Sequence, residues 1–185
     1  MAVLLHTCCA VCLDGPLADL QASGQEVLPF FCNPNIQPLL EFRKRLKAFR
    51  VLGQALKIPV EFDETYDLDL FFGAVLADLK DRCRHCYRLR LRASARRAAQ
   101  MGAQAFATTL ATSPHQKHDL LREEGERAGA EFDVPFLYRD WRGLHEANVV
   151  VAKQRSLYRQ QYCGSLWSEE ERYRNTGKEL YREPT

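Results

Sequence analysis

Four short apolar runs, residues 3–7, 27–31, 58–62 and 105–110, each feed a segment with helical spacing of apolar positions. This alternation restricts the fold more than any other feature of the chain. Strand–helix alternation requires a mainly parallel sheet with helices on both faces. The expected class is therefore α/β, three-layered, Rossmann-like or HUP-like. Helices are predicted over residues 14–22, with Gly24 as a stop, and from Leu39 to Leu56. In the second of these Leu39, Phe42, Leu46, Phe49, Leu52 and Leu56 form one stripe, with Arg43, Lys44, Arg45, Lys47 and Arg50 off it. A short helix is expected over 69–79 and a longer one over 84–101. A further helix should follow the 111–121 loop, with Ser113 as cap and Pro114 in its first turn. A short strand near 131–134 and a helix near 144–158 complete the pattern. At 185 residues the chain suits one core. It reads as a single catalytic domain over 1–168 with a polar tail over 169–185.

Sites in such sheets form beyond the carboxyl ends of the strands. The first strand runs into "LLHTCCAVC", which places Cys8, Cys9 and Cys12 in a strand-to-helix turn. Amide groups at a helix start favour thiolates, the form that binds metal or attacks. One cysteine there would read as a small buried hydrophobe; three in five residues point to metal or redox use. Cys83 and Cys86 form a second close pair in "RCRHCYRLRL", and Cys163 stands apart in "YRQQYCGS". Cys32 ends a strand without a partner at ligand spacing and reads as structural. Seven cysteines, an odd number grouped this tightly, argue against a disulfide framework. With no signal segment or bilayer-length apolar run, the cytoplasm is the expected compartment and no membrane the expected partner. Residue types alone leave zinc and iron–sulfur both open.

Asn33, Asn35 and the Thr108–Ser113 loop follow predicted strands and should meet the cysteines at one edge. The net charge of +2 hides a local concentration: residues 80–97 hold eight Lys or Arg and one Asp, leaving −5 for the rest. Arg84, Arg88, Arg92 and Arg96 recur at i, i+4, a ridge suited to a polyanion. The competing reading is a solvated helix face or pairing with the chain's own acids. Tyr87, Tyr158, Tyr162 and Trp167 are candidates for stacking on bases or for the core. No GxGxxG, Walker or SGGxDS-type loop is present, which removes the usual nucleotide-binding readings of the class.

Taken together, "LLHTCCAVC", "FCNPNIQP" with Glu41 and Arg45, "DRCRHCYRLRL", "FATTLATSPHQKHDLL", "FLYRDWR" and "LYRQQYCG" resemble the QueH-type epoxyqueuosine reductases. The resemblance implies a cobalamin-independent oxidoreductase of queuosine biosynthesis. Such an enzyme reduces the epoxide of epoxyqueuosine at a tRNA wobble position to an alkene, releasing water. It implies a 4Fe-4S cluster with an additional iron ion beside it, and an external electron donor of unidentified kind. By position, Cys83, Cys86 and Cys163 match cluster ligands, joined by Cys8 or Cys9. Cys12 and the remaining member of that pair would hold the second iron. Cys8, Cys9 and Cys12 are then the catalytic set, and Arg84, Arg88, Arg92, Asn33, Asn35 and Ser113 the substrate contacts. Asp14 suits helix capping better than iron ligation. The family often reads "YCGC" where this chain has Ser165. The main alternative is a zinc-containing nucleic-acid-binding module without redox activity, which explains the paired cysteines and arginines but not Cys8–Cys9. A tRNA sulfur-transfer enzyme lacks its pyrophosphatase loop here, and a thiol–disulfide oxidoreductase needs only one cysteine pair.

Overall fold

A computed structural model of the chain describes residues 2–176. Four parallel strands, β1 (Val3–His6), β2 (Val27–Cys32), β3 (Glu61–Asp63) and β4 (Ala105–Thr108), lie in the order β3-β2-β1-β4. The helices between them are α1 (Asp14–Ala22), α2 (Leu39–Leu56), α3 (Leu68–Val75) and α4 (Arg82–Gln100). After β4 come α5 (His118–Phe132), α6 (His145–Gln154) and α7 (Leu166–Tyr173). The three-layer α/β expectation holds.

The chain winds from β1 through β2 to β3, then returns past both to β4. Right-handed crossovers put α1 and α2 on one face of the sheet and α4 on the other. The direction of winding therefore reverses between β1 and β4. β1 is paired on both sides and β4 is flanked by a single bridge from Phe106 to Phe136, and every residue of each is buried. Leu4, Leu5, Phe31, Phe49, Leu91 and Phe106 form the heart of the core. Among the described residues no helix is long and apolar enough to cross a membrane.

Three expected elements differ. Residues 131–134 do not form a strand, because α5 continues to Phe132 and closes there. Asp133 turns left-handed at φ 52° and the Val134 amide donates back to the Gly129 carbonyl at 3.0 Å. Only one bridge, Phe106 to Phe136, extends the sheet beyond β4. Ser113 and Pro114 precede α5 rather than start it; the loop runs four residues beyond Ser113 before His118. The polar segment after Trp167 is helical to Tyr173, capped by Ser165, whose hydroxyl accepts from the Ser168 amide. A cap explains a serine at this position.

α5 packs along α4, and this contact decides the fate of the arginine ridge. Arg84 pairs with Asp81, Glu123 and Glu124, Arg88 with Glu124, and Arg92 with Glu131. Glu124 is fully buried and holds both Arg84 and Arg88, at 2.9 Å each. Removing it strands two guanidiniums over one desolvated position. Glu124→Gln should lower stability by about 2 kcal/mol, measured by urea unfolding, whereas the exposed Glu131→Gln should leave it unchanged.

Candidate metal centre and active site

The turn after β1 begins with Cys9 fully extended, then closes a 3-10 turn over Ala10–Cys12 that runs directly into α1. This geometry folds the three cysteine side chains back onto one another. Cys8 Sγ lies 3.8 Å from Cys9 Sγ, which lies 3.2 Å from Cys12 Sγ. All three are buried, and among the described residues they alone form a group with ligand atoms mutually within 4.8 Å. A single ion with bonds of about 2.3 Å to sulfur holds tetrahedral ligands roughly 3.8 Å apart. The spacing and all-sulfur chemistry of the triad fit a thiophilic metal.

The group sits at the winding reversal between β1 and β4, the crevice where such sheets place their ligands. Thr109, just past β4, closes it from the other strand. Its hydroxyl accepts from the Cys8 amide at 3.1 Å and lies 3.5 Å from Cys8 Sγ. From the far end of the chain, Gln160 Nε2 donates to Cys9 Sγ at 2.8 Å. Donors from Cys12, Cys9 and Thr109 hold the Cys8 thiol well below its ordinary range. Burial and its sulfur neighbours push Cys9 up. Cys12 is raised chiefly by its bond to Cys8.

Cys86 is buried, Cys83 half-buried and Cys163 exposed. Burial pushes the Cys86 thiol up to about 11, opposed by Arg90 and reinforced by Cys163 and Cys83. The three therefore lie within electrostatic reach of each other without closing into a tight group. Cys163 is carried by a loop that a buried ion pair holds in place. Arg45, paired with Glu41 at 2.7 Å, donates to the carbonyls of Cys163 and Tyr162 at 3.1 and 3.0 Å. Tyr158 donates to the second oxygen of Glu41, and the Gln37 amide donates to the Gly164 carbonyl at 2.7 Å. Gly164 has φ 131°, and a Cβ there would stand 2.9 Å from both Asn35 Nδ2 and Ile36. Glycine is required by both counts.

Asn33 and Asn35 are buried at this edge. Asn33 donates to the Thr7 carbonyl at 2.9 Å, while its Oδ1 has no partner among the described residues. Neither side-chain polar atom of Asn35 has one, and Oε1 of Gln37 and of Gln160 are equally unpaired. Ser113 lies half-buried past β4, its carbonyl bonded by His118. Asp14 is not the cap of α1; it lies inside the first turn, pairs with Arg155, and keeps Oδ2 buried and unpartnered. His85 is half-buried, and its Nε2 has no partner among the described residues. The four aromatic candidates are engaged internally. Tyr87 is core and bonds Gln116, Tyr158 and Tyr162 brace the Cys163 loop, and Trp167 packs on Phe71 and Phe72.

Two residues that matter here carry no sequence signal. Arg90, inside the arginine-rich helix, is buried where its neighbours are not. His6 bridges three strand ends: Nδ1 lies 2.8 Å from Thr108 Oγ1 and Nε2 3.0 Å from the Cys32 carbonyl. A carbonyl only accepts, so Nε2 carries the proton of the neutral ring.

A parallel α/β domain with a buried thiol triad at its winding reversal and further cysteines around it has the donor set of a cysteine-ligated metal centre. The model of the family described as epoxyqueuosine reductase QueH matches residues 3–171. A protein of that name from Dehalococcoides mccartyi is 37% identical over 171 residues, covering 92% of this chain and 94% of the relative. One from Thermotoga maritima is 32% identical over 176 residues, covering 90% and 89%. One from Helicobacter pylori is 30% identical over 178 residues, 88% of this chain and 48% of the relative. The chain belongs to the QueH family of epoxyqueuosine reductases.

Burial, with a smaller push from Arg90, lowers the His6 pKa to about 4. Unfolded, the ring takes a proton near pH 6.5. The unfolded state therefore binds more protons between these values, and stability falls as pH drops through that window. The loss totals about 3 kcal/mol at pH 4. Unfolding free energies of wild type and His6→Gln compared from pH 7 to 4 should diverge by that amount, the variant lacking this slope.

Proposed function

We propose that this chain reduces the epoxide of epoxyqueuosine in tRNA to the alkene, without cobalamin, using a cysteine-bound 4Fe-4S cluster and an additional iron ion. The observation that carries the reading is the buried Cys8–Cys9–Cys12 group in a chain of this family. Both bonds from the ring carbons to the epoxide oxygen break, and the oxygen leaves as water. Two electrons from an external donor and two protons balance the step. When bound, the iron–sulfur assembly supplies single electrons and a Lewis acid for the oxygen.

Cys83, Cys86 and Cys163, with Cys8 or Cys9, hold the cluster in this reading. Cys12 and the other member of the pair hold the second iron, and the free Oδ2 of Asp14 is available beside them. Burial of the triad keeps bulk water from the metal. The unpaired amide oxygens of Asn33 and Gln160 and the unpaired amide of Asn35, with the Ser113 loop, suit the hydroxyl groups of a ribose or cyclopentane ring, since buried polar atoms require partners. The tRNA substrate places the work in the cytoplasm. Residues 1–168 act as one catalytic domain; of the polar tail, residues 177–185 lie outside the described part of the chain. A zinc-only nucleic-acid-binding module explains the paired cysteines and the arginines but not the adjacent Cys8 and Cys9.

For the RNA backbone, Arg84, Arg88 and Arg92 remain a proposed face, yet each must give up a carboxylate of its own chain to meet a phosphate. Arg43, Lys44 and Lys47 on α2 are exposed and have no carboxylate partner among the described residues. Lys44 lies 5.7 Å from the ring of Tyr158, beside the Gln160 loop. We assign the larger share of phosphate contact to these three. Each lost contact flattens the log–log salt dependence of tRNA binding by roughly 0.7–0.9. Lys44→Ala with Lys47→Ala should thus flatten it by more than one, and Arg88→Ala with Arg92→Ala by less.

Metal analysis of anaerobically reconstituted protein tests the cofactor. Iron and acid-labile sulfide should both be present, fall sharply in Cys8→Ala, Cys83→Ala and Cys86→Ala, and persist in Cys32→Ala. Stoichiometric zinc without sulfide in the wild type would remove the iron–sulfur reading.

A further inference from the structure

Two arginines are almost fully buried, and they are treated differently. Arg45 faces the carboxylate of Glu41. Arg90, 2% exposed on the inner side of α4, has no carboxylate within ion-pair distance among the described residues. Its Nη2 donates to Cys86 Sγ at 3.2 Å, and its Nε lies 3.4 Å from the Cys86 carbonyl one helical turn back. The guanidinium sits 5.8 Å from the Tyr87 ring centroid. The ionisable groups that act on it most are the sulfurs of Cys86, Cys8 and Cys163, followed by Tyr87. On its other side its charge reaches the ring of His6 and the thiol of Cys32.

A buried cation without an anion is costly, and a contact with one aromatic ring repays little of that. Arginine cannot shed its proton to escape, as a buried lysine does. Among the described residues, the ionisable groups acting most strongly on Arg90 are cysteine sulfurs, drawn from both the triad after β1 and the outlying set. We infer that Arg90 is the fixed counter-cation of the cysteine-bound metal assembly, setting its charge balance and reduction potential. The inference rests on the reading that these cysteines hold an iron–sulfur centre. A cluster on cysteine thiolates carries net negative charge and gains more on reduction. A permanent positive charge donating to a ligand sulfur favours the reduced form. Arg90 is thus a positioning and tuning residue that touches a ligand rather than the substrate.

The test compares wild type, Arg90→Gln and Arg90→Lys, all anaerobically reconstituted. It reads iron and sulfide content, circular dichroism, and the midpoint potential from an electron-paramagnetic-resonance titration. Glutamine keeps a donor near Cys86 but removes the charge; lysine keeps the charge and loses the fork. The expected result is a shift to lower potential in Arg90→Gln, or loss of its cluster, with Arg90→Lys returning toward wild type. A wild-type potential in cluster-loaded Arg90→Gln overturns the inference. Loss of the cluster in both variants, or loss of helical signal in Arg90→Gln, also overturns it, because packing rather than charge would then be the role. Absence of iron and sulfide from the wild type itself signals failure of the underlying iron–sulfur reading.

Discussion

The burial of three thiols at one turn is the constraint around which the rest of the molecule is arranged. Sulfurs 3.2 and 3.8 Å apart in a desolvated pocket cannot all ionise without a cation to share. The protein surrounds them with donors from two distant segments: the Thr109 hydroxyl after β4, itself held by the Cys8 amide, and Gln160 in the loop before α7. Only a sheet that reverses its winding between β1 and β4 brings these segments to one crevice. The neutral His6 fixes the ends of β4, β1 and β2 beneath it. Topology and site are therefore one problem: a shift of β1 against β4 would part Cys8 from Thr109.

Charge is managed in two regimes. Along α4 and α5 the arginines and glutamates neutralise each other at the surface, with Glu124 as the one buried anchor. Near the cysteines, charges are few, buried and individually placed. The Glu41–Arg45 pair spends its remaining donors on the backbone of the Cys163 loop, so a buried ion pair works there as a latch. Arg90 faces the Cys86 sulfur with no carboxylate partner among the described residues. The first regime stabilises helix packing; the second suits the site to a cysteine-bound metal.

The sequence made the architecture legible because the parallel strands β1, β2 and β4, buried almost throughout, read as plain apolar runs, and α2 carries an unbroken stripe. The placement of Cys8, Cys9 and Cys12 past a strand end was equally legible, since a strand followed by a helix defines its carboxyl edge. What escaped was everything set by contacts between distant segments. The ridge on α4 looked uncompensated because its acids sit on α5, some forty residues away in the case of Glu124 and Arg84. Arg90 is indistinguishable in composition from Arg88 and Arg92; only the 100°-per-residue turn of the helix puts it inside. His6 lay within a quoted motif but has no partner visible locally. The alternation of Phe132 and Val134 imitated a strand, whereas the left-handed Asp133 between them is a helix stop.

The central claim is that this buried sulfur site reduces an epoxide on tRNA. The most direct measurement supplies anaerobically reconstituted protein with a chemical reductant and tRNA bearing epoxyqueuosine, then digests the tRNA and weighs its nucleosides by mass spectrometry. The account expects a product lighter by one oxygen atom, formed by the wild type and not by Cys8→Ala. An unchanged epoxyqueuosine nucleoside, in the presence of a fully loaded and reduced iron–sulfur centre, would contradict it.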